Sequence, residues 1–324
     1  MMAALDTLLS PVILFFLLGA LAAAFRSDLS VPEPMAKGLS LYLMAAIGMK
    51  GGVQVAESGV SAEMLVTSGA GLVLSFALPL VAFALLRMLG GLDRLNAAAL
   101  AAHYGSVSIV TFVTTSDALM RSGTPPAGYM VAVMALMETP AIIVGLLLAQ
   151  KKTAGGESNG RAGSDKLWRE VFLNGSVVLL LGAFLIGLVI GKEKFTPVSP
   201  VFVTGFTGLL CLFMLDMGLI AMRRLRESRA LTVRLAALGV VIPLVNGSIG
   251  LAVGVMIGLD AGTAAALAML AASASYIAVP AAIRLALPEA DPGIYLSMSL
   301  AVTFPFNILV SIPLFSALAA MATG

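Results

Sequence analysis

Ten apolar runs of roughly 18 residues or more divide this chain, and no other feature constrains its fold as strongly. They are approximately Leu8–Phe25, Met35–Gly52, Met64–Leu89, Leu95–Leu119, Gly128–Ala149, Val171–Ile190, Val201–Met222, Leu235–Gly258, Gly262–Leu287 and Ile294–Met321. Runs of this length match the hydrocarbon thickness of a bilayer. Backbone groups in hydrocarbon must pair within their own segment, which predicts helices, and no short alternating strands point to a barrel. Composition agrees: 60% of the 324 residues are hydrophobic and 11% charged, far from a soluble domain. The expected fold class is therefore an all-α integral membrane protein. A net charge of +2, with no basic run among aromatics, excludes a nucleic-acid partner. The single cysteine, Cys211, excludes a disulfide framework and a Cys-based zinc cluster. The first run lacks a preceding basic residue and follows Asp6, so it reads as a span rather than a cleaved signal.

Basic residues set the expected orientation. With the N-terminus outside, the cytoplasmic loops hold 15 of the 19 Lys and Arg, and the outer loops hold only Lys50, Arg121, Lys192 and Lys194. Both termini then lie on the outer side of a bacterial plasma membrane.

The polar stretch QKKTAGGESNGRAGSDK (Gln150–Lys166) sits near the midpoint, with five spans on each side. This predicts a first repeat at 1–149, a cytoplasmic linker at 150–166 and a second repeat at 167–324. GLDRLNAAALA (Gly91–Ala101) matches GLDAGTAAALA (Gly258–Ala268) at eight of eleven positions, an offset of 167. Because five is odd, the second copy is expected upside down relative to the first. The same offset carries Ser106 onto Ser273 and Ser108 onto Ser275, so GSVS in the fourth span is answered by ASAS in the ninth. METPAI (Met137–Ile142) and TFPFNI (Thr303–Ile308) place a proline in the middle of the fifth and tenth spans. Paired interruptions in the two halves point to a midplane binding site.

Breaks in spans four and nine would bring two half-helix N-termini together. Each carries roughly half a positive charge and unpaired N–H groups. The pair suits a small singly charged oxyanion without any Lys or Arg. Oxygen groups beside them suit a hard cation such as Na⁺. Glu138, Thr139, Ser273, Thr303 and Asn307 are the candidates on that side, and Glu138 is costly enough mid-membrane to need a reason. His103, next to the break, reads first as a structural hydrogen-bonding residue. Tyr276 either lines the site or packs. Pro280 fits the first turn of a new half-helix. Asp117 and Arg121 share a helix face and should bridge locally. Asp216 is expected to pair with a basic residue near the inner end of span seven. A Ser–His hydrolase is disfavoured, since neither GxSxG nor HExxH occurs. The chain is thus not expected to be an enzyme.

ASASYIAVPAAIRLALPEADP (Ala272–Pro292) with SLAVTFPFNI (Ser299–Ile308) closely resembles the sodium-dependent bicarbonate transporter family. HYGSVSIVTF, METPAI and MKGG (Met49–Gly52) look like further motifs of that family. The resemblance implies ten helices in two inverted five-helix repeats, with a gate domain and a core that moves as an elevator. It implies a lipid-embedded homotrimer importing bicarbonate with Na⁺, needing no cofactor beyond that coupling ion. It places the anion at Gly105, Ser106, Val107 and Ser108 and at Ala274, Ser275 and Tyr276. It also implies a trimeric PII-like regulatory partner at the cytoplasmic face. Other small oxyanions, and Na⁺/H⁺ exchange through Glu138, are the competing readings.

Overall fold

The structure is a computed structural model that describes residues 9–149, 175–227, 231–276 and 278–323. The linker at Gln150–Lys166 and the first residues of the sixth apolar run lie outside them. The described residues are predominantly helical, with no strand. In chain order the helices are α1 (Pro11–Ala24), α2 (Glu33–Ser58), α3 (Ala62–Met88), α4 (Arg94–Gly105), α5 (Ile109–Arg121) and α6 (Met130–Ala149). After the linker come α7 (Gly175–Phe195), α8 (Phe206–Glu227), α9 (Val233–Met256), α10 (Ala261–Ala272) and α11 (Ala278–Ala286). The last helical stretch, α12 (Pro292–Thr323), contains two π-helical segments, Ser297–Thr303 and Asn307–Ser311. These flank Pro305, whose missing N–H disturbs the regular ladder there.

Seven stretches among the described residues are long and apolar enough to cross a membrane. The other three of the ten apolar runs fall short for visible reasons. The first is helical only over the 14 residues of α1. The sixth begins outside the described residues, and α7 is interrupted by Gly191 at φ 61° just beyond the end of that run. The ninth is split between α10 and α11 and includes residue 277, which lies outside the described residues. Large apolar side chains such as Leu65, Val73, Val189 and Met256 are exposed, as expected where lipid covers a surface.

Two packing regimes divide the molecule. Helices α2 and α7 lie backbone to backbone: a Cβ added at Gly52 would run into Phe184 O, and one at Gly187 into Met49 O. Helices α1 and α8 meet in the same way through Gly19 against Leu215 O and Gly218 against Phe16 O. Such close approach is the usual route to helix association where lipid removes the hydrophobic drive between helices. The second regime surrounds α4 and α10. Ala97 to Gly105 of α4 and Gly262 to Ala272 of α10 are all buried, so both helices are covered on every face. Alanines make this possible. Gly145 of α6 sits on Ala102, and Gly250 of α9 sits on Ala268 and Ala271.

The 167-residue offset recurs in the local structure. Gly91 and Gly258 both take positive φ, at 67° and 79°. Asp93 and Asp260 then cap α4 and α10, accepting from Leu95 N (2.9 Å) and Thr263 N (3.0 Å). Asn96 Oδ1, in the first turn of α4, accepts the N–H of Asp291, beyond α11, at 2.8 Å. Thr263 Oγ1, at the matching place in α10, accepts the N–H of Ala127, beyond α5, at 3.0 Å. The start of each broken helix thus lies against the far end of the other, and the two run in opposite directions.

Candidate functional site

Both SxS motifs sit where a helix stops. α4 ends at Gly105, and Ser106 turns extended at φ −86°, ψ 173°. α10 ends at Ala272, and Ser273 does the same at φ −78°, ψ 164°. Ser108 begins α5 as its N-cap, accepting from Thr111 N at 3.2 Å. Ser275 Oγ accepts from Val279 N at 3.4 Å in the first turn of α11. Gly105 is dictated by sterics, because a Cβ there would penetrate the ring of Pro79 on α3.

The two breaks are joined directly. Ser108 N donates to Ser273 Oγ at 2.9 Å, and that hydroxyl donates onward to Leu270 O at 2.8 Å. Ser275 N donates to His103 O at 2.9 Å, and His103 Nδ1 meets Ser275 O at 2.5 Å. Ser106 Oγ donates to Glu138 O of α6 at 3.0 Å. Ser106, Ser108, Ser273, Ser275, Val107 and Ala274 are all buried, as is Tyr276. Tyr276 Oη faces Ser108 without a hydrogen bond of regular geometry, while its ring packs edge-on against Phe304 at 5.3 Å.

Two asparagines complete the crossing. Asn246 Nδ2 on α9 donates to Tyr104 O at the end of α4 (3.1 Å), and Asn307 Nδ2 on α12 donates to Ala272 O at the end of α10 (2.9 Å). Carbonyls at helix C-termini lack intrahelical partners, and these amides supply one each. Both side-chain oxygens, Asn246 Oδ1 and Asn307 Oδ1, stay buried and without a hydrogen-bond partner. Leaving a buried acceptor unpaired costs about 1–3 kcal/mol, so two at one crossing are a marked concentration.

The remaining sequence candidates are distributed unevenly. Glu138 is buried on α6, and its carboxylate makes no ion pair among the described residues. Thr139 follows it, also buried. Thr303 donates to Gly239 O at 2.6 Å and faces Tyr104 Oη at 2.7 Å, so the tyrosine is the donor in that pair. Gly239 O is the carbonyl that Pro243, four residues on, leaves without its usual N–H. Among the described residues, no cluster of three or more His, Cys, Asp and Glu gathers that could hold a metal ion.

Asp117 and Arg121 do bridge, at 2.8 Å, and Thr207 of α8 donates to the other carboxylate oxygen of Asp117 at 3.1 Å. Asp216 differs from expectation. It is buried mid-helix in α8, and its Oδ2 has no partner. Two basic residues of that helix hydrogen-bond instead to carbonyls at the end of α1 and beyond: Arg223 to Leu29 O and Arg226 to Ala23 O.

The sequence profile of the Na⁺-dependent bicarbonate transporter superfamily matches residues 11–320. The chain belongs to that superfamily. No curated protein matches it. Membership in a bicarbonate transporter superfamily, with the apolar helices described above, makes this an integral membrane protein and points to Na⁺-dependent bicarbonate transport rather than enzymatic chemistry. In this superfamily member, sequence reasoning missed Asn246 and Tyr104. VIPLVNG carries the same signal that marked TFPFN, a mid-span proline followed by an asparagine, and applying that rule to span eight finds Asn246.

Proposed function

We propose that the protein is a Na⁺-coupled symporter that imports bicarbonate. The observation that carries this reading is the crossing itself: two helix breaks hydrogen-bonded to each other, from which α5 and α11 start. Among the described residues, no Lys or Arg hydrogen-bonds to either break. Helix N-termini and hydroxyls offset the single charge of bicarbonate without binding it as tightly as a fixed cation would. Gly105, Ser106, Val107, Ser108, Ala274, Ser275 and Tyr276 form the anion side. Glu138, Thr139, Ser273, Thr303 and Asn307 form the Na⁺ side with backbone carbonyls. No cofactor beyond Na⁺ enters.

The architecture proposed around this site has ten spans in two inverted repeats, 1–149 and 167–324. The antiparallel course of the broken helices and the matched caps support it. In the same proposal, α1, α2, α7 and α8 are the gate domain of a homotrimer. The remaining helices are the core, which carries the site across as an elevator. The basic bias places both termini outside a bacterial inner membrane, with a PII-like partner met at the cytoplasmic face. Bound Na⁺ and bicarbonate lower each other's burial cost, so an inward Na⁺ gradient drives import.

Glu138, a buried carboxylate without an ion pair, favours one second reading, Na⁺/H⁺ exchange. Reconstitution separates the two. In liposomes with an inward Na⁺ gradient, labelled bicarbonate should accumulate, and an equal K⁺ gradient should fail to support it. Proton flux that ignores bicarbonate would favour exchange.

A further inference from the structure

We propose that His103 is a positioning residue that holds the second break in its binding conformation, so that the anion affinity of one half of the molecule is set by a side chain from the other. This rests on the anion-site reading above. The geometry is specific. Ser275 offers the crossing one N–H and one C=O, and His103 takes both: its own carbonyl accepts the N–H at 2.9 Å, and its ring meets the C=O at 2.5 Å. A carbonyl only accepts, so Nδ1 carries the proton and donates. The ring is fully buried and stacked on Tyr295 of α12, centroids 4.8 Å apart, which fixes its plane. Nε2 has no partner, so the ring is committed through one nitrogen.

Ser275 in turn decides where α11 begins, because its hydroxyl receives Val279 N in the first turn. Extended backbone between two helices has no ladder of its own to keep it in one conformation. The two-point contact from His103 supplies that constraint. The first break is held differently, by Ser273 Oγ on Ser108 N and by Ser106 Oγ on Glu138 O. The histidine therefore acts on the anion through Ser275 rather than by touching it.

Asparagine and glutamine separate the two ring nitrogens. An asparagine amide nitrogen hangs from Cγ, as Nδ1 does, whereas the glutamine amide reaches the place of Nε2. Wild-type protein, His103→Asn and His103→Gln would be compared in liposomes by two readouts. One is hydrogen exchange of peptides containing Ser273–Tyr276. The other is the initial rate of labelled bicarbonate uptake against bicarbonate concentration at a fixed Na⁺ gradient. His103→Gln should speed exchange and raise half-saturating bicarbonate about tenfold, with the maximal rate changed less than about twofold, as expected for loss of one buried hydrogen bond. His103→Asn should restore both readouts.

Unchanged exchange in His103→Gln would overturn the proposal, and so would faster exchange with unchanged half-saturation. Failure of His103→Asn to the same degree as His103→Gln would give the role to the stack on Tyr295 instead. If the wild type moved no bicarbonate, the bicarbonate reading would fall while exchange still decided the clamp. Protection lost in His103→Gln and kept in His103→Asn would uphold it; equal protection in both would refute it.

Discussion

The glycine-paired helices and the crossing solve the same problem in opposite ways. In α2/α7 and α1/α8 the middle of each interface is backbone against backbone, with glycines at 52, 187, 19 and 218 and polar links at the ends. Those end links include Lys192 to Glu57 at 2.9 Å and Arg226 to Ala23 O at 2.9 Å. At the crossing the arrangement is reversed: the polar groups lie at the centre, and alanines fill the surroundings. A membrane helix gains little from burying apolar surface against another helix, so contact shape holds the first region together. In the second, regular helix is given up at two places and the exposed backbone is satisfied by serine, histidine and asparagine. The proposed function gives the first region the fixed role and the second the ligand.

Substitutions should split along that line. The largest effect is expected at Gly52→Val, where a side chain would have to displace the α7 backbone at Phe184. Overpacking against backbone should cost about 3 kcal/mol or more, leaving little folded protein by size-exclusion chromatography. Whatever folds should transport with unaltered half-saturation. Next comes the double change Ser106→Ala with Ser275→Ala, which removes the donor to Glu138 O and the hydroxyl at the start of α11. Uptake should fall about 100-fold or more for roughly 2.7 kcal/mol of lost binding, with the protein still folded and its oligomer intact. Normal uptake in that variant would remove the breaks from the site.

Glu138→Gln should act more mildly, raising the Na⁺ needed for half-maximal uptake about tenfold, equivalent to about 1.4 kcal/mol. An unchanged Na⁺ dependence would exclude the carboxylate from the cation side. The smallest effect belongs to the seam between the regions. Thr207→Val removes the hydroxyl from Asp117 on α5 while Arg121 remains. Thermal unfolding should shift by no more than about 4 °C, for about 1 kcal/mol.

The positions of the breaks were legible because each depends on local chemistry repeated at one offset. Gly91 and Gly258 turn the chain, Asp93 and Asp260 start a helix, and Ser106 and Ser273 stop one. Every step uses residues within a few positions of each other, which a sequence displays. The partners across the crossing were not legible in the same way. That His103 reaches Ser275, or that Thr303 serves the carbonyl freed by Pro243, depends on how distant helices are placed. In the sequence Thr303 is read by ligand type alone; its bonds to Gly239 O and Tyr104 Oη lie within the protein and leave one lone pair of the hydroxyl open. Asp216 departs from expectation. Arginines were close in sequence, but Arg226 turns to carbonyls at the end of α1 and Arg223 to Leu29 O beyond it.

The central claim is that one crossing binds an anion and a cation that stabilise each other. Binding of bicarbonate to the purified protein, titrated calorimetrically across a series of Na⁺ concentrations with K⁺ as the balancing ion, tests it most directly. Bicarbonate affinity should rise with Na⁺, and bicarbonate should raise Na⁺ affinity by the same factor. Bicarbonate affinity independent of Na⁺ would contradict it.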